Sequence, residues 1–395
     1  MRLMQSKLIW QHDDWPHLVI TQANVTQSLL LARQRQGELV GKARAIGLGQ
    51  TGSAVQEVLF QEVMATSAIE GENLNPAAVR SSVMRKLGFE PPTGSARSRQ
   101  VDDLVDVIQD AIIGFDQPLD HDRLFRWQAA LFPSGYCGLQ RIAVGKYRQH
   151  ADAMQIVSGL PGKEVVHFTA PPSARVGLEM DKFLQWFGQT APGAARGEEL
   201  DGIARAAIAH VWFETIHPFE DGNGRIGRAI VDMAMAQDLG APTRLFSLSS
   251  QMLKDRKGYY EALSAAQHGS TNVSAWVHWF ARALGQACVA ASALLDAAVE
   301  RSRFWATHSQ ITLNERQRKV VQRLLNDGNG GFMGGLNVQK YIKMTGTSKP
   351  TATRDLGDLV RYGLLLARGQ GKAVRYEVAV LGWTNAHATH AHAKL

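Results

Sequence analysis

The chain has 395 residues, is 45% hydrophobic and carries a formal net charge of +7, a length that predicts two or three domains. Its two cysteines, Cys137 and Cys288, exclude a disulfide framework, and no cluster has the spacing of a metal ligand set. The N-terminal stretch lacks the apolar segment of a signal peptide and no apolar run reads as long enough to span a bilayer, so a cytoplasmic protein without membrane contact is expected.

Residues 1–88 read as mainly helical. In "SAVQEVLFQEVMATSAIE" the apolar Val55, Val58, Leu59, Val63 and Ile69 recur at roughly helical spacing, and Gly71 is a stop signal. Asn75 followed by Pro76 reads as a new helix start, with Asn as N-cap and Pro in the first turn. "FEPPTGSARSR" (89–99) is a loop by composition. Helical patterns resume in "VDDLVDVIQDAI" and "DHDRLFRWQAALF". The short β-prone runs "MQIVSG" and "EVVHFTA" flank "GLPGK" and predict a hairpin, closed by Pro171 and Pro172. "ARVGLEMDKFLQWF" is helical again. "LDGIARAAIAHVWFETI" is a strongly apolar helix, and "IGRAIVDMAMAQDLG" is another, ended by Gly240.

From about residue 312 the character changes. "NERQRKVVQRLLND", "NVQKYIKMTG" (with Asn337 as N-cap) and "SKPTATRDLGDLVRYG" predict three helices, and "LLLARGQGKAVRYEV" predicts two strands around a Gly-rich turn. Three helices and a hairpin is the order of a winged helix-turn-helix. Residues 311–395 hold 13 Lys and Arg against 5 Asp and Glu, so the basic character lies here and suggests an anionic partner.

Between the two central helices lies "HPFEDGNGRIGR" (217–228). The tetrapeptide "DGNG" recurs at Asp327–Gly330 without a preceding histidine or a following arginine, so the flanking residues carry the meaning. Gly222 and Gly224 permit positive φ and close approach of a ligand. A glycine-rich turn opening a helix aims free N–H groups and the positive end of the helix dipole at an anion. Arg225 and Arg228, three apart, share one helix face, and two guanidiniums beside such a turn make a polyphosphate site. Asp221 has the chemistry to hold Mg²⁺ through one carboxylate. His217 has the chemistry of a general base. Phe219 is expected to pack inward as an anchor. Six fixed positions of this kind recur by chance on the order of 10⁻⁵ times in such a chain.

The stretch resembles the signature of Fic-domain proteins, H-x-F-x-[D/E]-G-N-G-R-x-x-R, at every defined position. The resemblance implies a mainly α fold: a Fic helical core with a β-hairpin flap, plus the C-terminal winged helix. It implies transfer of AMP from ATP to a Ser, Thr or Tyr hydroxyl of a protein, self-modification included. By the family pattern His217 is the base, and Asp221 binds Mg²⁺. Asn223 with the backbone of Gly222 and Gly224 holds the α-phosphate, and Arg225 and Arg228 hold the β- and γ-phosphates. "GKYRQHADAMQIVSG" resembles the segment leading into the flap. "SLSSQMLKDRKGYYEAL" resembles the region closing the adenine pocket, with Tyr259 and Tyr260 as candidates; core packing is the alternative for both.

"TSAIEGE" fits the family's inhibitory pattern [S/T]-x-x-x-E-[G/N] through Thr66, Glu70 and Gly71. The resemblance implies that Glu70 pairs with Arg228 and misorients ATP. "LIWQHDDWPHL" resembles the opening of bacterial members with an added helical N-terminal region. The expected division is an N-terminal region with the inhibitory helix (1–100), a Fic core (101–305), a winged helix (311–385) able to meet duplex DNA through Lys349, Arg354 and the turn at Gly369–Lys372, and a disordered tail (386–395). A homodimer is left open. Two other readings remain: a DNA-binding regulator with a sensing or inactive core, and removal of AMP with Glu70 positioning water.

Overall fold

The computed structural model describes residues 7–158, 165–194, 200–242, 244–327, 332 and 335–380. The expected "GLPGK" turn and the tail 386–395 lie outside the described residues. The chain divides into two compact units, residues 1–45 with 52–292, and residues 46–51 with 293–395.

In the first unit the helices run α1 (Gln22–Ile46), α2 (Leu48–Ile69), α3 (Pro76–Lys86), α4 (Arg99–Ile113) and α5 (His121–Leu131). Two small hairpins follow, β1 (Tyr136–Cys137) with β2 (Gln140–Arg141), and β3 (Gln155–Ser158) with β4 (Val165–Thr169). Then come α6 (Ser173–Gln189), α7 (Gly202–Ile216), α8 (Asn223–Leu239), α9 (Leu248–Lys254), α10 (Arg256–Gln267) and α11 (Ser274–Thr307), of which residues 274–292 belong to this unit.

The centre is α7, all of whose residues are buried. A helix apolar on every face must be covered on every face. Its alanines at 204, 206, 207 and 209 let neighbours approach closely; α8, α6 and α10 pack against it, and α8 packs in turn on α4. The predicted starts hold. Asn75 Oδ1 accepts from the amides of Ala77 and Ala78 ahead of Pro76, and Asp201 caps α7 through Ile203 and Ala204. Asp201 also meets Arg33 of α1, whose guanidinium reaches Asp238 of α8 at 2.8 Å. The N-terminal segment is fastened by indoles: Trp15 donates to buried Glu179 at 2.8 Å and Trp10 to the Thr169 carbonyl at 2.8 Å.

The β3–β4 hairpin forms where expected, with Gln155 opposite Thr169 and Ser158 opposite Val165, and an irregularity between Ile156 and Val157. Val157, Val165 and Val166 stay exposed, while Phe168 is buried. One expectation is corrected. By length and composition α11 is apolar enough to cross a membrane. Its Trp276, Val277, Phe280, Leu284 and Cys288 are core residues, and the Trp276 indole donates to the Ala207 carbonyl of α7 at 2.7 Å.

The second unit holds α12 (Glu315–Asp327), α13 (Val338–Thr345), α14 (Lys349–Arg361) and an antiparallel hairpin of β5 (Leu365–Arg368) and β6 (Arg375–Val378). Leu336 bridges to Tyr376 on the edge of β6 away from β5, accepting from the Tyr376 amide at 2.8 Å. The core joins Val320, Val321, Leu325, Leu336, Leu356, Leu359 and Leu365. Buried Asp355 of α14 accepts from Tyr341 at 3.0 Å and Arg316 at 2.9 Å, tying the three helices together. Asn337 is the N-cap of α13, accepting from the Lys340 amide.

Candidate active site

The site is the turn from α7 into α8. At its start His217 adopts the left-handed conformation (φ 49, ψ 62), the one non-glycine residue among those described with positive φ. Such a backbone costs about 1–2 kcal/mol and persists only where surroundings enforce it. Phe219 enforces part of it: it is fully buried, with its ring centroid 5.4 Å from that of Tyr147 and 6.4 Å from that of Phe125. Asn223 enforces more. Its amide accepts from the Phe219 N–H and donates to the Phe219 carbonyl, both at 2.9 Å. The Asn223 side chain thus locks the loop, and its backbone stands in the first turn of α8 beside Gly222 and Gly224. Gly222 has φ 89, and a Cβ there would lie 2.9 Å from Phe132. The loop thus delivers the first turn of α8, whose N–H groups lack intrahelical acceptors, to the site.

Around that turn lie two arginines and two carboxylates from the end of α2. Arg228, 4% exposed, donates to Glu70 at 2.7 Å, to the Thr66 hydroxyl at 2.7 Å and to the Thr66 carbonyl at 3.0 Å. Arg225, 3% exposed, meets Glu72 at 2.9 Å and lies 3.7 Å from Asp221. A Cβ on Gly224 would collide with the Glu70 carboxylate and stand 3.1 Å from Arg228 Nη1. Glu70 therefore sits against the helix N-terminus, where an anion belongs. Gly71 has φ 82 and makes the turn that sends both glutamates inward. Burial opposes ionisation of Glu70, but Arg228, with Arg225 and His217, holds its carboxyl below the usual range.

His217 is the candidate base. Burial, with the nearby Arg148 charge, brings its imidazole down to about 4, so the ring is neutral near pH 7. Its Nδ1 lies 3.8 Å from Glu214 of α7 and has no hydrogen-bond partner. Burial, helped by the charge on Glu70, pushes the Glu214 carboxyl up to about 8. A Cβ on Gly227 would clash with Glu214, so the glycine inside the signature makes room for this acid.

Asp221 is over a third exposed, and one of its oxygens accepts from the Gly222 amide. Among the described residues no group of three or more His, Cys, Asp or Glu is placed to hold a metal. One carboxylate at the rim of a phosphate site fits Mg²⁺, which keeps waters and takes its other ligands from substrate phosphates. Phosphate also fits the orphans here, since Arg225 Nε and Arg228 Nη1 are buried without an acceptor.

The two tyrosines part company. Tyr259 is 2% exposed, with its hydroxyl 2.9 Å from His210 Nε2 among Trp276 and Trp279. Of the two readings left open for it, adenine contact and core packing, its burial fits core packing. Tyr260 is exposed and donates to the Ile69 carbonyl at 3.2 Å, next to Glu70. Sequence reasoning missed Glu72, Glu214, Arg148 and Cys137. The Cys137 thiol is bonded to Asp221, and burial with that carboxylate pushes it up to about 11.

Residues 118–235 match the model of the Fic/DOC family, and the chain carries a Fic/DOC domain there, with the whole turn and both arginines inside it. Residues 8–89, which supply Glu70 and Glu72, match a domain of unknown function, DUF4172. The chain is similar to a protein adenylyltransferase Fic of Nematostella vectensis, 26% identical over 219 residues, 55% of this chain and 45% of that protein. It is also similar to a probable protein adenylyltransferase of Aquifex aeolicus, 32% identical over 104 residues, 26% of this chain and 28% of the other. The chain thus spans less than half the length of these relatives. Among solved structures, a Fic domain-containing signalling protein of Bacteroides thetaiotaomicron superposes with a TM-score of 0.51 at 15% identity, over 67% of this chain and 97% of that one. The fold is mainly helical and of the Fic kind.

Proposed function

We propose that the chain is a self-restrained protein adenylyltransferase that moves AMP from ATP to a hydroxyl side chain of a protein, itself included. The observation that carries this is the convergence on one turn of a neutral, part-buried imidazole, a free helix N-terminus and two buried arginines, inside a Fic/DOC domain. Similarity to protein adenylyltransferases supports the donor and the acceptor class.

In this reading His217 takes the proton of the target hydroxyl as its oxygen attacks the α-phosphorus. The new P–O bond forms, the bond from the α-phosphorus to the bridging oxygen breaks, and pyrophosphate leaves. The α8 N–H groups, Arg225 and Arg228 bind the phosphates and spread the charge that moves onto the leaving group. When bound at Asp221, Mg²⁺ would neutralise phosphate charge. The exposed edge of the β3–β4 hairpin is the natural seat for an extended target segment.

The restraint is the pair of glutamates. Glu70 occupies Arg228 and Glu72 occupies Arg225, so the phosphates of ATP compete with Glu70 for one guanidinium and with Glu72 for the other. The test is label transfer from α-labelled ATP, with UTP as a competing donor, in the presence of Mg²⁺. Transfer of AMP by Glu70→Gly and its loss in the double variant with His217→Ala support the reading. Transfer of UMP alone, or of nothing, defeats it.

The second unit has the helix order and hairpin of a winged helix, and duplex DNA is the partner we assign to it. Lys349 and Arg354 lie on α14, and the Gly369–Lys372 turn joins its strands. In this reading α14 contacts bases and the turn contacts phosphates. The full chain should retard duplex DNA at low salt and release it steeply as salt rises. Retardation unaffected by Lys349→Glu with Arg354→Glu would remove α14 from the interface.

A further inference from the structure

Arg148 lies outside the signature, between the two hairpins, and is 1% exposed. Its Nε donates to the His217 carbonyl at 2.8 Å and its Nη2 to the Ile216 carbonyl at 3.2 Å. Nη2 also reaches the Pro171 carbonyl at 2.6 Å, and Nη1 the Ser173 hydroxyl at 2.9 Å. The backbone is enlisted too, for the Arg148 N–H donates to the Pro218 carbonyl at 2.9 Å. One guanidinium therefore joins the last carbonyls of α7, the left-handed residue beyond them, and the exit of the β3–β4 hairpin.

This is an expensive arrangement for a merely structural link. Among the described residues no carboxylate pairs with Arg148, and burial brings its guanidinium down to about 10. Buried charge without a counter-ion is disfavoured. Here it is offset by carbonyls at a helix C-terminus, where the dipole favours a cation. Those same carbonyls belong to the residues that set the direction of the His217 ring.

We propose that Arg148 is a positioning residue for the transfer reaction, holding His217 in its left-handed turn and registering it against the hairpin that receives the target. This rests on His217 acting as the base. The groups facing the imidazole are Glu214 on α7, Glu70 beyond α2, Asp221 on the turn and Arg148 itself; the charges of Glu70 and Asp221 and the Glu214 backbone favour its protonation, and Arg148 opposes it.

The experiment compares Arg148→Lys and Arg148→Met with Arg148 intact, all on the Glu70→Gly background. The readouts are transfer rate, ATP affinity and the acid limb of the rate. Displacement of a base by about 1 Å costs on the order of 10²-fold. Both variants should lose about that factor in rate while ATP affinity changes less than about threefold. Only Arg148→Met should move the acid limb to higher pH, because only it removes the charge that opposes protonation of His217. If Arg148→Met does not fold, Arg148→Lys decides alone, since lysine keeps the charge but cannot reach four acceptors. An unchanged rate in Arg148→Lys overturns the proposal, as does a rate loss matched by loss of ATP binding. His217→Ala on the same background separates the premises: if it still transfers AMP, the base assignment fails, and if it is silent while Arg148→Lys is normal, only the positioning role fails.

Discussion

Replacing Glu70 by glycine removes the carboxylate that Arg228 meets at 2.7 Å and leaves both hydrogen bonds to Thr66 in place. The Glu70 side chain is one-third exposed, so solvent screens the pair, and its contribution is nearer the ~1 kcal/mol of a partly exposed pair than the larger cost of breaking a buried one. A triphosphate that binds after displacing the pair gains that amount once the carboxylate is gone. It is also relieved of repulsion from a negative charge beside the α8 N-terminus, a contribution of similar size. Together about 1–2 kcal/mol corresponds to roughly 5–30-fold. Glu70 lies beyond Ile69, the last residue of α2, so glycine costs less than the ~1 kcal/mol of a helix interior. The assay is the initial rate of label transfer at sub-saturating ATP for wild type, Glu70→Gly, and Glu70→Gly with His217→Ala. The single variant should be faster by that factor and the double variant silent. An unchanged rate would refute the inhibitory role. A slower single variant would place Glu70 in the chemistry itself, as removal of AMP through an activated water requires. Arg228→Ala should not imitate Glu70→Gly, because it deletes the phosphate contact together with the restraint.

His217→Ala should lower transfer by about 10²–10⁴-fold and leave calorimetric ATP affinity nearly unchanged, since the base acts on the acceptor; a large loss of affinity would reassign it to nucleotide binding. Glu72→Gln should raise ATP affinity by up to about fivefold, corresponding to ~1 kcal/mol for one partly exposed pair, and should add to Glu70→Gly; no gain in either background would remove Glu72 from the restraint. Glu214 should make stability pH-dependent. Its folded pKa of about 8 lies above the ordinary 4.5, so between those values the folded state holds a proton that the unfolded chain has lost, and stability falls as pH rises. Glu214→Gln should therefore gain on wild type in Tm between pH 5 and pH 8, and a constant difference across that range would show that Glu214 is ionised in the fold.

What was legible in the sequence was local. His217 to Arg228 lie within one turn and the start of one helix, so their spacing states their arrangement. Glu70 was legible only through the resemblance of Thr66, Glu70 and Gly71 to the family's inhibitory pattern. Glu72 was not: it meets Arg225 across 153 positions, and nothing in "EGEN" distinguishes it from a solvated acid. Arg148 and Glu214 were missed for related reasons, since a buried arginine on carbonyls and a buried acid beside a histidine follow no spacing rule. Tyr259 and Tyr260 are adjacent on α10, about 100° apart around its axis. Their composition cannot say which faces the core, and packing sent Tyr259 in and Tyr260 out. The second part Asn223 plays, closing the loop on Phe219 through its amide, needs the coordinates to be seen.

The complete burial of α7 bears on how often the restraint lapses. Local opening is least frequent in elements enclosed on all sides and most frequent in turns with solvent on one face. His217 extends from the former, whereas Glu70 and Glu72 ride on a three-residue turn hinged at Gly71. The turn can therefore fray while the catalytic end stays in place, and the resting enzyme would leak activity in proportion to the time the turn spends undocked. Amide exchange should record this as fast protons at Gly71 and Glu72 beside very slow ones along α7, and the protection of the turn amides would report the undocked fraction that sets the basal rate any activator has to exceed.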